Sequence, residues 1–382
     1  MRLRWRFPAE SEAAARAEVE ARIAAWWQAF ETKGNEIEAL FAKRAQFELE
    51  AWLTPKLRTI HDGLFWEFSR ASGRWAFIIT CEEQRELQPL VDRIVSLAPK
   101  GLFCDVLTAR PAELSTFALR TVEGRFSVDA TKWTAELAPV GHGLLGVTWH
   151  GATDDEHEAA VWLTKCLLGE HEMADWVGAV IPGGRSLMSR LFGRSGRVGV
   201  ADFVDAFTEA KRRQHEARPE SRLLVSSRTR DANWAVATID PRTRQGGRQL
   251  DLRTARTADL ELLSASIGGV PFSSCRFSRF AETLLYVQTD GFADEGFSTT
   301  LAMEEAVDAA LGPLGRTFGA GTGDQYSYLN LVVADDVDAA LERIRQALQQ
   351  GRSPKRSWIR FFDDTLANEW VGVWPDSPAP ES

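Results

Sequence analysis

The chain has 382 residues, 44% of them hydrophobic and 26% charged, with a formal net charge of −9. This is the composition of an ordinary soluble globular protein with enough apolar material for two cores, so two domains are expected. No apolar run approaches the roughly 18 residues of a membrane-spanning helix, and the basic start Met1 to Arg6 leads into the charged stretch Ala9 to Arg22 and not into a signal-peptide core, which predicts a cytoplasmic chain.

In chain order, Ala9 to Phe30 is a predicted helix whose apolar face carries Val19, Ile23, Trp26, Trp27 and Phe30 at spacings of three and four. Asn35 reads as the N-cap of a second helix, with Ile37, Leu40, Phe41 and Phe47 inward, and a third covers Leu49 to His61. Leu64 to Phe68 and Trp75 to Thr80 are aromatic and β-branched runs around Ser72-Gly73, the pattern of a hairpin. A helix over Glu82 to Ala98 leads to a strand at Leu102 to Leu107. Strands at Lys132 to Ala138 and Leu144 to His150, a helix opening at Asp154 and a strand near Trp176 to Ile181 complete a first α+β unit, with antiparallel strands and helices on one face.

The glycine- and arginine-rich segment 183–200 is the predicted linker, placing domains at 1–182 and 201–374. The second domain opens with a helix from Ala201 to Ala217, strands at Leu223 to Ser226 and Trp234 to Thr238, an exposed loop from Asp240 to Arg248, and a helix over Leu260 to Ile267. Leu284 to Phe362 then reads strand, helix, strand, strand, helix, strand, the βαββαβ order of a ferredoxin-like arrangement in which two helices cover one face of an antiparallel sheet. Its hairpin turn is assigned to Ala320-Gly321-Thr322-Gly323-Asp324-Gln325, and Asp335 or Asp336 caps its second helix. Residues 375–382, with three prolines, are expected to be disordered.

Several constellations invite chemistry. Gly319-Ala320-Gly321-Thr322-Gly323 resembles a phosphate cradle, but it opens no helix, so a hairpin turn is the simpler reading. His157 and His171 flank one helix among acids, but fourteen residues of helix would hold them about 20 Å apart. Cys81, Cys104, Cys166 and Cys275 stand far apart in apolar company and read as reduced core thiols. Tryptophans Trp27, Trp66, Trp75 and Trp162 fall on apolar stripes and read as core. From Arg185 to Arg256 there are sixteen Lys and Arg against eight Asp and Glu, leaving that segment at +8 and the remainder at −17. It reads as a solvated connector, with phosphate tracking the sharper alternative. No metal ligand set or cofactor motif is present, and no catalytic residue is assigned.

The turn Thr289-Asp290-Gly291-Phe292-Ala293-Asp294-Glu295-Gly296 gathers three carboxylates where packing gives no reason for them. Asp290, Phe292, Asp294 and Glu295 are the expected partner-binding residues, because loops held between rigid elements carry binding. A divalent cation could draw on the same acids, but their spacing does not fit a calcium loop.

With that turn and the glycine-rich hairpin into Tyr326-Ser327-Tyr328, the stretch Leu284 to Leu348 resembles a bacterial family of unknown function, some of whose members sit among toxin and immunity genes. The resemblance implies a binding role. The run Phe65-Trp66-Glu67-Phe68 is similarly shared with other bacterial sequences and implies no chemistry. Together these readings predict a non-enzymatic, immunity-like or regulatory protein-binding chain, since acidic flanks favour encounter with basic partners. The alternatives are an enzyme or small-ligand binder with a pocket near the Asp290 turn or between the domains, and nucleic-acid binding through Arg185 to Arg256.

Overall fold

A computed structural model describes residues 3–43, 49–71, 74–113, 118–120, 127–183, 196–218, 234–243, 247–291, 296–334 and 336–381. Phe292, Asp294 and Glu295, the strand expected at 223–226 and residues 184–195 of the expected linker lie outside the described residues. The fold is mixed α+β. It divides into two compact units, one of residues 1–131 and 155–173 and the other of 132–154 and 174–382.

The first unit opens with α1 (Ala13–Lys43), a single helix. The break expected at Asn35 does not occur, because Ile37, 1% exposed, extends the stripe of Ile23, Trp26, Trp27 and Phe30 into the same core. After α2 (Leu49–Arg58), β1 (Phe65–Ala71) and β2 (Arg74–Thr80) form the expected antiparallel hairpin. The chain returns through α3 (Gln88–Ser96) to β3 (Asp105–Leu107), which pairs parallel to β2. The sheet is therefore mixed and not antiparallel as anticipated, since a helical crossover brings the chain back in the same direction. Phe77 of β2 stacks on Phe30 at 4.9 Å and on Trp26 at 5.9 Å. Strands β4 (Ala118–Arg120) and β5 (Ser127–Asp129) pair separately, and α4 (His157–Leu168) leads into α5 (Glu170–Trp176), in which the unit boundary falls.

In the second unit, β6 (Thr134–Gly141), β7 (Leu144–His150), β8 (Val177–Pro182) and β9 (Val198–Gly199) form a sheet in the order β8-β7-β6-β9, with β7 and β8 parallel. The first two of these strands group with this unit and not with the residues before them, because β6 pairs with β9 and Trp149 packs at 4.9 Å against Phe203 of α6 (Phe203–Glu216).

The larger sheet comprises β10 (Ala235–Thr238), β11 (Leu252–Thr257), β12 (Thr283–Thr289), β13 (Gly315–Gly323), β14 (Ser327–Val333), β15 (Ser357–Phe361) and β16 (Trp370–Gly372), in the order β10-β11-β13-β14-β12-β15-β16 with every pairing antiparallel. Between β11 and β12 lies α7 (Leu260–Ile267), and α8 (Thr300–Leu311) and α9 (Val337–Gln350) follow β12 and β14. Their starts are fixed by the side chains of Asp259, Thr299 and Asp336, each accepting from the N–H three residues on. Thr317 of β13 faces α8, bonding Asp308, whereas neighbouring Phe318 faces an opposite layer with Phe272, Phe277, Tyr286, Tyr328 and Phe362.

The glycine run after Phe318 is strand, correcting the hairpin turn assigned there. Gly319, Gly321 and Gly323 pair with Thr257, Ala255 and Leu252, and β11 lies so close that a Cβ on Gly319 would stand 2.9 Å from the Arg256 carbonyl oxygen. The turn follows at Asp324–Gln325 and is held by Asp251, whose carboxylate accepts from the N–H groups of Gln325 (2.9 Å) and Tyr326 (3.0 Å).

Candidate functional site

The corner where β12 ends, β14 begins and β15 begins gathers polar groups around one cation. Asp290 follows β12 directly, and its N–H donates to the Arg356 carbonyl at 2.9 Å, so the backbone sets the two side chains side by side. The Arg356 guanidinium donates through Nε to Asp290 Oδ2 at 2.6 Å, and through Nη2 to the Tyr326 hydroxyl at 2.8 Å and Glu381 Oε1 at 2.9 Å. It also stands 5.7 Å from the centroid of the Trp358 ring, which meets the Tyr326 ring edge to face at 6.0 Å. Burial raises the Tyr326 phenol above its ordinary range although Arg356 opposes the shift. Arg356 and Asp290 are each about a third exposed, at 34% and 31%, so the corner is open to solvent on one side.

Residues 375–381, expected to be disordered, lie across this corner instead. Trp358 Nε1 donates to the Pro378 carbonyl at 2.5 Å, Lys355 pairs with Asp376 at 2.6 Å, and Ser377 Oγ accepts from the Trp374 N–H at 3.0 Å. The cause is that Trp358, fully buried beneath the segment, has an indole N–H that needs an acceptor.

No protein-family model, curated protein or solved structure matches the chain. The chemistry of the site therefore rests on these residues alone.

A second constellation, which sequence spacing did not suggest, lies in the first unit. Arg110 pairs with Glu67 of β1 and lies 3.6 Å from Glu113, and its ring neighbour is Trp162 of α4 at 4.9 Å. Glu170 accepts from Thr80 Oγ1 at 2.6 Å and from the Arg110 N–H at 3.2 Å, with Lys165 Nζ at 3.5 Å, and Ser69 donates to Glu113. Burial raises the Glu67 carboxyl, and Arg110 only partly offsets this. Beside it lies a cleft of about 330 Å³ lined by residues 107–112 and 168–172. Each acid in the set already has a cation or donor as partner, so the arrangement ties β1, β2, α4 and α5 together and presents no unengaged acid–base pair. Trp162, expected in the core, is instead half-buried under Arg110 and Lys165.

The other sequence candidates resolve in the same physical terms. Burial pushes the Cys81 thiol up to about 12 and those of Cys104 and Cys275 up to about 11, which suppresses the thiolate at all three, although Cys275, assigned to a core, is exposed as a residue. Among the described residues no group of three His, Cys, Asp or Glu side chains converges as a metal would require, His157 and His171 included. Seven described arginines of the basic segment are matched to acids: Arg212 and Arg213 to Glu209, Arg218 to Glu261, Arg242 to Asp240, Arg248 to Asp364, Arg253 to Asp324 and Arg256 to Glu304. No described helix is long and apolar enough to cross a membrane.

Proposed function

We propose that the chain is a non-enzymatic protein-binding module, immunity-like or regulatory in kind, that meets its partner at the Asp290–Arg356 corner. The stretch from β12 to β15 is read as a ferredoxin-like scaffold within a two-domain cytoplasmic protein, and Phe292, Asp294 and Glu295 are read as binding the same partner. One observation carries the reading. An arginine about a third exposed, held in register by a backbone hydrogen bond to Asp290, stands over an aromatic floor of Trp358 and Tyr326, and residues 375–381, which open with a turn over Trp374–Ser377, lie on that floor. Arginine on an aromatic platform is a common anchor of protein recognition, because the guanidinium offers directional donors and the rings offer area at low entropic cost. Affinity capture from the native host with the unmodified chain and with Arg356→Met tests it. A partner retained by the first and lost by the second is expected, and an identical set from both would remove the corner from the site.

A small-ligand binder is the second reading, supported by the cleft at Arg110. Charge-removing substitution there, Glu170→Gln, would weaken a ligand without touching partner capture. Nucleic-acid binding draws no support from the seven described arginines matched to acids, since paired arginines release fewer counterions from phosphates.

A further inference from the structure

We infer that the floor beneath residues 375–381 is a docking groove for a proline-rich acidic segment, and that the chain's own residues 375–381 occupy it as a built-in competitor. The inference rests on the partner-binding reading above and names the chemistry of the partner. Three recognition elements are arranged along β15 and the residues preceding it: Lys355, Arg356 and Trp358. Each is matched by one feature of the segment. Lys355 takes Asp376 at 2.6 Å, Trp358 Nε1 takes the Pro378 carbonyl at 2.5 Å, and Arg356 takes Glu381 at 2.9 Å. The matching pattern in the occupant is acid, any residue, proline, any residue, proline, acid, as in Asp376-Ser377-Pro378-Ala379-Pro380-Glu381.

Two properties of the occupant point to exchange and not to a permanent part of the fold. Its side chains are largely solvent-exposed: Pro375, Asp376, Pro378, Ala379 and Glu381 all lie open, with only Ser377 and Pro380 partly covered. By contrast the floor it covers is fully built, with Trp358 buried, Tyr326 8% exposed, and Gly372 approaching so closely that a Cβ there would stand 2.9 Å from Ser377 Cβ. Departure of the segment leaves the Trp358 N–H, Lys355 and Arg356 without these partners, so a competing segment that supplies the same acceptor and acids can replace it. The prolines lower the entropy cost of holding the segment after its turn at Trp374–Ser377, and aromatic-lined grooves are the usual readers of proline-rich segments. Because the occupant is tethered, its effective concentration is high, and a free segment of equal contacts must compete with it.

The probe is a synthetic peptide of residues 375–381, titrated by isothermal calorimetry against the chain ending at Trp374 and against the full chain. Trp374 is kept because its Nε1 donates to the Ser353 carbonyl at 2.9 Å and its ring lies 4.8 Å from Lys355. Saturable binding to the shortened chain is expected, at least about tenfold weaker to the full chain, and weakened about tenfold by replacing both acids of the peptide with their amides. Absence of binding to a shortened chain that keeps its near-ultraviolet circular dichroism, or equal binding to both chains, overturns the inference. Should the shortened chain not fold, the full chain carrying Asp376→Asn and Glu381→Gln takes its place. There the peptide must bind more tightly than to the unmodified chain, and no gain is a refutation. A concentration-dependent dimer of the full chain, lost on shortening, would instead make a second copy the occupant. Failure of the peptide with partner capture intact removes the groove and leaves the binding reading standing. Peptide binding without any Arg356-dependent partner does the reverse.

Discussion

Replacing Gly319 with alanine separates a strand from a turn at the glycine run. Gly319 sits inside the sheet, paired with Thr257 on one side and Asn330 on the other. A Cβ there would stand 2.9 Å from the Arg256 carbonyl oxygen, 3.3 Å from Asn330 Nδ2 and 3.6 Å from Thr257 Cα. The first neighbour is backbone, so it cannot swing aside as a side-chain tip would, and relief requires β11 to move off β13. Overpacking of this sort costs about 1–3 kcal/mol, from which alanine's smaller loss of chain entropy returns about 0.5–1 kcal/mol. A net loss of about 1–2 kcal/mol is expected in urea unfolding followed by tryptophan fluorescence, with an unchanged slope. Gly199→Ala is the control: its added Cβ would meet only Asp202 Oδ2, at 3.9 Å, and should stay within about 0.5 kcal/mol. A Gly319→Ala chain as stable as the original would return the run to the surface and refute the close pairing.

Trp66→Ala should cost about 3 kcal/mol, the low end for aromatic truncation, since Trp66 is only half-buried beside Phe68 and bonds Thr54 Oγ1 at 3.0 Å; an unchanged urea midpoint would contradict this. Burial raises the carboxyls of Asp308 and Glu304, so the folded state holds their protons more strongly than the unfolded chain does. Their contribution is fully present below the ordinary carboxylate range of about 4 and is lost as pH rises through the raised values. Asp308→Asn, which can still accept from the Thr317 N–H, should therefore gain stability relative to the unmodified chain between about pH 4 and 7, and a constant difference would show that Asp308 does not titrate in that window. Replacing Asp290, Asp294 and Glu295 by Asn, Asn and Gln should leave the thermal midpoint nearly unchanged and, because the docking segment inferred above is acidic, strengthen its binding most at low salt, where charges are least screened; weaker binding would point to a basic partner, and a triple variant that unfolds would make the turn structural.

Local, periodic features were legible in the sequence. The helix over Leu260–Ile267, a strand that stops before Asp290 and a helix cap at Asp335 or Asp336, which falls on Asp336, follow from spacing and cap chemistry alone. What escaped was set by distant partners. The glycine run carries turn composition, and only the approach of β11, some 65 residues earlier, makes it strand. Asn35 has cap chemistry, and only the shared core reached by Ile37 carries the helix through it. Of the corner, Asp290 was visible, but Arg356 lies 66 residues away and was hidden among other arginines. The segment 375–381 has a disordered composition, and its order comes from the needs of Trp358. In the first unit, Arg110 with Glu67, Glu113 and Glu170 has no sequence spacing to betray it, because β1, a loop and α5 bring those residues together.

The central claim is that a protein partner is recognised at the Asp290–Arg356 corner. Its most direct test is the affinity of the captured partner for the unmodified chain and for Arg356→Met, both confirmed folded by circular dichroism and measured by calorimetry at low and physiological salt. Binding should fall at least about tenfold in the variant, with the larger loss at low salt, as expected when a partly exposed cation anchors the contact. Equal affinity at both salt concentrations would contradict the assignment and place the function elsewhere on the chain.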